Sequence, residues 1–140
     1  MGADKPDWGG PVLDIHLHPR NQDDGEVAHM EGCGVAKAII LGAAATQART
    51  KTRMEKAPGR MKVFASVDVT RPDAIDTLRA AVKAGAIGLG ELKPHVESDG
   101  PEMRRVYELA AELQVPVLLI FRMGPPGRCS TAACSVLARS

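Results

Sequence analysis

Three side chains that can take part in metal chemistry stand at alternate positions of one short segment, namely Asp14, His16 and His18. The chain has only four histidines, and two of them are in this segment. Alternate residues of a β-strand face the same side, so these three side chains would share one face. Two neutral imidazoles at the carboxyl end of a strand can bind one cation at ~2.0–2.1 Å. Asp14 lies deeper on that face and could orient one of the ligands from behind.

The same spacing has a second interpretation. An edge strand that turns its polar side chains toward water would also show this alternation. The choice between a metal site and a solvated edge therefore depends on the elements that surround the histidine pair.

Five apolar runs predict β-strands, and the segments between them predict helices. The clearest helix has Pro72 near its start, an apolar stripe at helical spacing and Gly85 at its end. Alternating helices and nearly continuous apolar strands are typical of a parallel sheet with crossover helices. The predicted strands are 12–18, 35–42, 61–68, 86–93 and 115–121, and the predicted helices lie within 21–34, 43–60, 71–85 and 100–114.

Two of these segments resemble the amidohydrolase superfamily. DIHLHP, residues 14–19, is similar to the motif that ends the first strand in that superfamily. The stretch GAIGLGELKPHVESDGPEMRRVYELAAELQVPVLLI, residues 85–120, resembles the amidohydrolase-related branch, which includes metal-dependent hydrolases and decarboxylases. The resemblance covers about residues 12–120. It implies a (β/α)8 barrel in which His16 and His18 bind a divalent metal ion, zinc or manganese.

The end of the fourth predicted strand supplies further candidate residues. Some relatives have Gly-Glu at this point and use the glutamate as a metal ligand, which implies that Glu91 is a ligand or supports one. Strand alternation places Lys93 on the same face, nearer the rim, where it would suit charge pairing with a substrate. We predict Glu91 and Lys93 as catalytic residues and His95, in the following loop, as a substrate contact. The simpler alternative for all three is a polar loop at the surface.

The resemblance also implies residues that the chain does not contain. A complete barrel of this kind takes ~250 residues, and the smallest have ~200, whereas this chain has 140. The histidine expected after the fifth strand is replaced by Phe121 and Arg122, and the aspartate of the last strand has no counterpart. We therefore predict a partial barrel over residues 1–121, with about five parallel strands and four crossover helices, followed by an irregular tail over 122–140.

Two explanations of the tail compete. One is a short protein, and the other is a reading-frame shift near residue 120. We favour the frame shift, because the composition changes inside a motif and the tail has the Arg, Pro, Ser, Ala and Cys content of misread GC-rich codons. In an open five-stranded sheet, Glu91 could splay away from the histidines, and the free edges would favour a homo-oligomer.

Composition limits the partners. Aromatic residues make up 3% of the chain and the formal net charge is +1, which argues against a base-stacking nucleic-acid surface and an acidic partner. No apolar run approaches the ~20 residues of a membrane span. Three cysteines without CxxC spacing and a polar N-terminus predict a cytoplasmic protein. For the basic cluster Arg49, Lys51, Arg53, Lys56 and Arg60, we prefer a solvated helix face to a phosphate site.

These observations predict a metal-dependent hydrolase of the amidohydrolase-related family, or a decarboxylase of the same kind, acting on a small-molecule substrate. Its activity is expected to be impaired, because two expected residues are missing. The alternatives are a non-catalytic fragment and an open-sheet binding domain.

Overall fold

The computed structural model describes residues 6–20, 24–93 and 96–120, together with the backbone of Ser135–Leu137. Five parallel strands lie side by side in chain order within these residues. They curl into half of a barrel, which confirms the predicted α/β partial barrel. The strands are β1 (Val12–Leu17), β2 (Val35–Ala43), β3 (Met61–Ser66), β4 (Gly88–Leu92) and β5 (Val117–Leu119).

Four helices cross from each strand to the next, as predicted, and they are α1 (Gly25–Cys33), α2 (Gln47–Met54), α3 (Ala74–Lys83) and α4 (Pro101–Leu113). Gly34 ends α1 in the left-handed conformation, which glycine adopts without a steric penalty. Pro101 begins α4, where the missing N–H of proline leaves no helical hydrogen bond unmade. Among the described helices, none has both the length and the apolar character needed to cross a bilayer.

The second helix is shorter than the segment 43–60 that was predicted to contain it. Ala43 remains in β2, where it pairs with Ser66 of β3, and a 3₁₀ turn follows at Ala44–Thr46. After Met54 the chain continues as turns, because Ala57 and Arg60 each donate their backbone N–H to the carbonyl three residues earlier. The helix therefore ends before the Pro-Gly pair at residues 58–59.

A sixth, short strand lies within the tail that was predicted to be irregular. β6 (Ser135–Leu137) pairs antiparallel with β5, and Leu118 lies opposite Val136. The other residues of the tail lie outside the described part of the chain. Without β6, the outer edge of β5 would present unpaired backbone N–H and C=O groups. Pairing with β6 gives these groups hydrogen-bond partners.

The strands bury apolar side chains on both faces. The helices pack against one face, which carries residues such as Ile40, Leu89 and Val117. The opposite, concave face has its own small cluster, formed by Leu41, Phe64 and Leu118, to which no helix contributes a buried residue. Leu17 of β1 belongs to the helix-facing side, whereas the rings of its neighbours His16 and His18 both meet Glu91 of β4.

Strands β4 and β5 approach each other closely at Gly90. This residue has a φ of 139°, which side chains rarely allow. A Cβ atom there would lie 2.5 Å from the carbonyl oxygen of Leu118. Only glycine therefore permits this approach, which fixes the backbone that carries the next residue, Glu91.

We expect Gly90→Ala to lower the free energy of unfolding by about 2–6 kcal/mol, because strain at φ and overpacking each cost about 1–3 kcal/mol. Urea denaturation followed by circular dichroism measures this loss. Gly10→Ala is the control, since Gly10 is exposed and a Cβ atom there would have no neighbour within 4 Å. Equal midpoints for the two variants would contradict the tight contact.

Candidate metal centre

The two histidines of the first strand come together at its carboxyl end. His16 is in β1, and His18 is one residue beyond the end of the strand. Their Nε2 atoms are 3.2 Å apart, and the rings meet edge to face with centroids 5.0 Å apart. The side chain of His18 is 55% exposed and that of His16 is 34% exposed. Both rings can therefore be reached from the concave side of the sheet.

Glu91 of β4 lies against both rings, although two strands separate β4 from β1. Its Oε1 atom is 3.1 Å from Nε2 of His16, and its Oε2 atom is 3.5 Å from Nε2 of His18. Sequence reasoning allowed for these groups to splay apart in an open sheet, but the curl of the sheet brings them together. The side chain of Glu91 is 3% exposed, so this carboxylate lies at the buried end of the group.

The spacing of these donor atoms fits a metal ion. His16, His18 and Glu91 can each offer one ligand atom, and these atoms all lie within 4.8 Å of one another. Donors bound to a tetrahedral zinc ion at ~2.0–2.2 Å are about 3.3–3.6 Å apart. The two imidazole nitrogens are 3.2 Å apart, and each lies 3.1 or 3.5 Å from a different oxygen of Glu91, so these distances fit an ion that both carboxylate oxygens approach. The three residues therefore form a group that could hold a metal ion.

One oxygen of the carboxylate has no hydrogen-bond partner among the described residues. Oε1 of Glu91 is buried, and the nearby ring of His16 does not meet it with hydrogen-bond geometry, although the two atoms are only 3.1 Å apart. Burying a carboxylate oxygen without a donor is unfavourable. A cation held between the two rings and the carboxylate would remove that penalty, so the donor set fits a divalent metal.

Lys93 supplies a positive charge to the same carboxylate. Its Nζ atom is 2.8 Å from Oε2 of Glu91, and its side chain is 60% exposed. Both residues predicted to be catalytic are thus in direct contact. An ammonium group on an exposed, flexible chain can move toward the solvent when another cation takes the carboxylate.

A cavity of about 550 Å³ opens beside this group, and this volume is large enough for a small molecule. His18, Glu91 and Lys93 form one side of it. The rest of its lining comes from the ends of β2 and β3 and the loop after β3, with Leu41, Ala43, Ser66, Val67, Asp68, Val69 and Thr70. The cavity therefore has apolar walls and several polar groups next to the candidate metal ligands.

Sequence analysis missed the polar residues that β3 and its loop contribute to this cavity. Asp68 accepts hydrogen bonds at Oδ1 from the backbone N–H and the hydroxyl of Thr70, at 3.0 and 2.7 Å. Ser66 donates its hydroxyl to the carbonyl oxygen of Gly42 at 3.3 Å. The feature of the sequence that could have indicated these residues is their position after the third predicted strand, because polar residues at the carboxyl end of a barrel strand lie where substrates bind.

Asp14 contacts the histidine segment through the backbone. Its Oδ1 atom accepts the backbone N–H of His16 at 2.8 Å, and its Oδ2 atom is 3.9 Å from Nε2 of His29 on α1. The pairing of β1 with β2 shifts register between Asp14 and Leu17, so regular alternation is interrupted there. Asp14 thus shapes the strand next to His16, and its predicted contact with a ligand ring stays a prediction. His95, the predicted substrate contact, lies outside the described residues.

Three residues of the basic cluster around α2 form ion pairs with acidic residues in α1 or just before it. Lys56 lies 2.6 Å from Asp24, and Arg60 contacts Glu31. Arg53 contacts Glu26, and both residues are buried, with 7% and 1% exposure. The predicted solvated face is therefore wrong for Arg53, because the hydrophobic pattern of α2 did not reveal a buried acidic partner on another helix.

No protein-family model and no curated protein sequence matches this chain. The fold and the site define a class of structure, an α/β half-barrel with a candidate metal centre on its concave side. The case for function consequently rests on the geometry of His16, His18 and Glu91.

We expect Lys93→Met to lower the free energy of unfolding by about 1–3 kcal/mol in the presence of a chelator, because the buried carboxylate of Glu91 loses a charged hydrogen-bond donor. Urea denaturation in EDTA measures the change. Lys62→Met, at an exposed position of β3, serves as the control and should have little effect. The same loss in both variants would show that the contact of Lys93 with Glu91 contributes nothing specific.

Proposed function

We propose that this chain binds one divalent metal ion through His16, His18 and Glu91, and that the site belongs to a metal-dependent hydrolase or decarboxylase of the amidohydrolase-related kind. The observation that carries this proposal is the set of separations between the three donor groups, which fits a single ion. The motif DIHLHP and the Gly-Glu pair at the end of β4 support the same assignment.

The donor set favours zinc or manganese as the ion, because imidazole and carboxylate ligands suit both metals. When bound, such an ion would supply a Lewis acid for a carbonyl group and would make a water molecule more acidic. Glu91 would share its negative charge with the ion. His16 and His18 would hold the ion at the mouth of the cavity, beside the space for a substrate.

The other residues of the cavity would bind and orient a small-molecule substrate. Lys93 pairs with Oε2 of Glu91, and its exposed ammonium group would be placed to pair with a negative group of the substrate. Asp68 and Thr70 hold each other in place and offer polar contacts in the same cavity. Leu41 and Val69 provide apolar surface. The arrangement suits a compact molecule with one acidic or carbonyl group.

Metal titration tests the proposal directly. We expect purified protein, after chelator treatment, to take up one Zn²⁺ per chain in isothermal titration calorimetry. His16→Ala, His18→Ala and Glu91→Gln should each weaken binding by at least about 100-fold, since a lost ligand costs more than the 10–100-fold loss of an outer partner. Glu112→Gln is the control and should leave the affinity unchanged, because Glu112 pairs with Arg79 and is not part of the donor group.

The absence of stoichiometric uptake, with far-UV circular dichroism intact, would overturn the metal site and favour a non-catalytic fragment. Saturable binding of a small molecule in the presence of EDTA would instead favour an open-sheet binding domain.

Turnover is expected to be weak. We expect the metal-loaded chain to hydrolyse p-nitrophenyl acetate no faster than the same concentration of free Zn²⁺, because the resemblance assigns proton transfer to an aspartate of a strand beyond the five parallel ones. Initial rates with and without protein at equal metal concentration measure this. A rate that exceeds the free-metal rate several-fold and disappears in Glu91→Gln would show that these five strands suffice for catalysis.

A further inference from the structure

A buried ion pair holds the segment that follows His18. Glu26 of α1 is 1% exposed and Arg53 of α2 is 7% exposed, and the carboxylate and the guanidinium are in direct contact. Oε1 of Glu26 accepts the backbone N–H of Arg20 at 2.7 Å. Nη1 of Arg53 donates to the backbone carbonyl of Arg20 at 2.6 Å. The ion pair thus satisfies both backbone polar groups of a residue two positions after His18.

Helix α1 also approaches this segment closely. Gly25, the first residue of α1, is buried, and a Cβ atom there would lie 2.8 Å from Cβ of Arg20. Any larger residue at Gly25 would push the Arg20 segment away from the helix. Close packing and two backbone hydrogen bonds therefore fix the same point of the chain.

His18 needs such a constraint more than His16 does. His16 is within β1, and its backbone N–H is held by Asp14. His18 lies beyond the end of β1, after a register shift in the pairing with β2, and its side chain is largely exposed. Pro19 alone separates it from Arg20, and proline has a fixed φ. An anchor at Arg20 therefore restricts where the backbone can place His18.

Stability alone is a weak reason for such a pair. Two buried charges lose their hydration, and replacing them with apolar residues of similar size is often neutral or stabilising. We infer that Glu26 and Arg53 are positioning residues for His18, which keep its ring within reach of Glu91 and of the ion. This inference rests on the proposed metal site, because positioning matters only for a ligand.

The first test compares zinc affinity between matched variants by isothermal titration calorimetry. We expect Glu26→Gln and Gly25→Ala to weaken Zn²⁺ binding about 10- to 100-fold, the usual effect of losing support for a ligand. Glu112→Gln breaks an exposed ion pair with Arg79 between α3 and α4, away from the histidine segment, and should leave the affinity unchanged. Gly32→Ala, in the same helix as Gly25 but with no atom within 4 Å of its Cβ, should do the same. Unchanged affinity in Glu26→Gln and Gly25→Ala would overturn the inference.

A second variant covers the case in which Glu26→Gln does not fold. Glu26→Met/Arg53→Met removes both charges and keeps the volume, so the fold should survive. Weaker zinc binding with an unchanged or higher urea midpoint would separate positioning from stability. Unchanged zinc binding in this variant would contradict a role for the ion pair.

The inference can also be tested without metal, which distinguishes its failure from that of the proposed site. In the chelator-treated protein, ¹⁵N-labelled imidazole spectra report each histidine ring separately. Glu26→Met/Arg53→Met should shift or broaden the signals of His18 more than those of the neighbouring His16 ring, whereas a purely structural effect would move both rings equally or neither. If wild type binds no zinc but the His18 ring responds more than His16, the metal site is wrong while the anchor at Arg20 is correct.

Discussion

The candidate site depends on one contact across the concave side of the curled sheet, in which the carboxylate of Glu91 meets the rings of His16 and His18. Strands β1 and β4 are not neighbours, so no ladder of hydrogen bonds sets the distance between them. The distance follows from the twist and curl that β2 and β3 add in between. A carboxylate buried at this contact needs polar partners, and Lys93 and the two imidazole rings approach it.

Much of this arrangement could be predicted from local patterns. Continuous apolar strands separated by helices indicate a parallel sheet, and parallel strands in chain order place all their carboxyl ends at one edge. His16 and His18 stand at the end of β1 and Glu91 at the end of β4, so their convergence needed only a sheet that curls. The boundaries of the strands followed from the same runs, although β5 is shorter than its apolar stretch.

The remaining features depend on contacts between residues distant in sequence, which no periodicity encodes. In the sequence, Arg53 is one of several basic residues that predict a solvated helix face. In the structure it is buried, because α1 places Glu26 beside it. Asp68 enters the cavity wall because the loop after β3 turns back at Thr70. The register shift beyond Asp14 breaks the alternation that strand reasoning assumed, and only the pairing with β2 reveals it.

The contact between Glu91 and the two histidines also links the curl of the sheet to metal binding. Two strands and three helices lie between His18 and Glu91 along the chain, and in an unfolded polypeptide the entropy of closing so long a loop opposes their meeting. An ion bound by both β1 and β4 would link these strands across the concave side. Part of its binding free energy would then stabilise the curled form of the sheet. Flattening the sheet would pull the donors apart, so occupancy of the site and the bend of the half-barrel would rise and fall together.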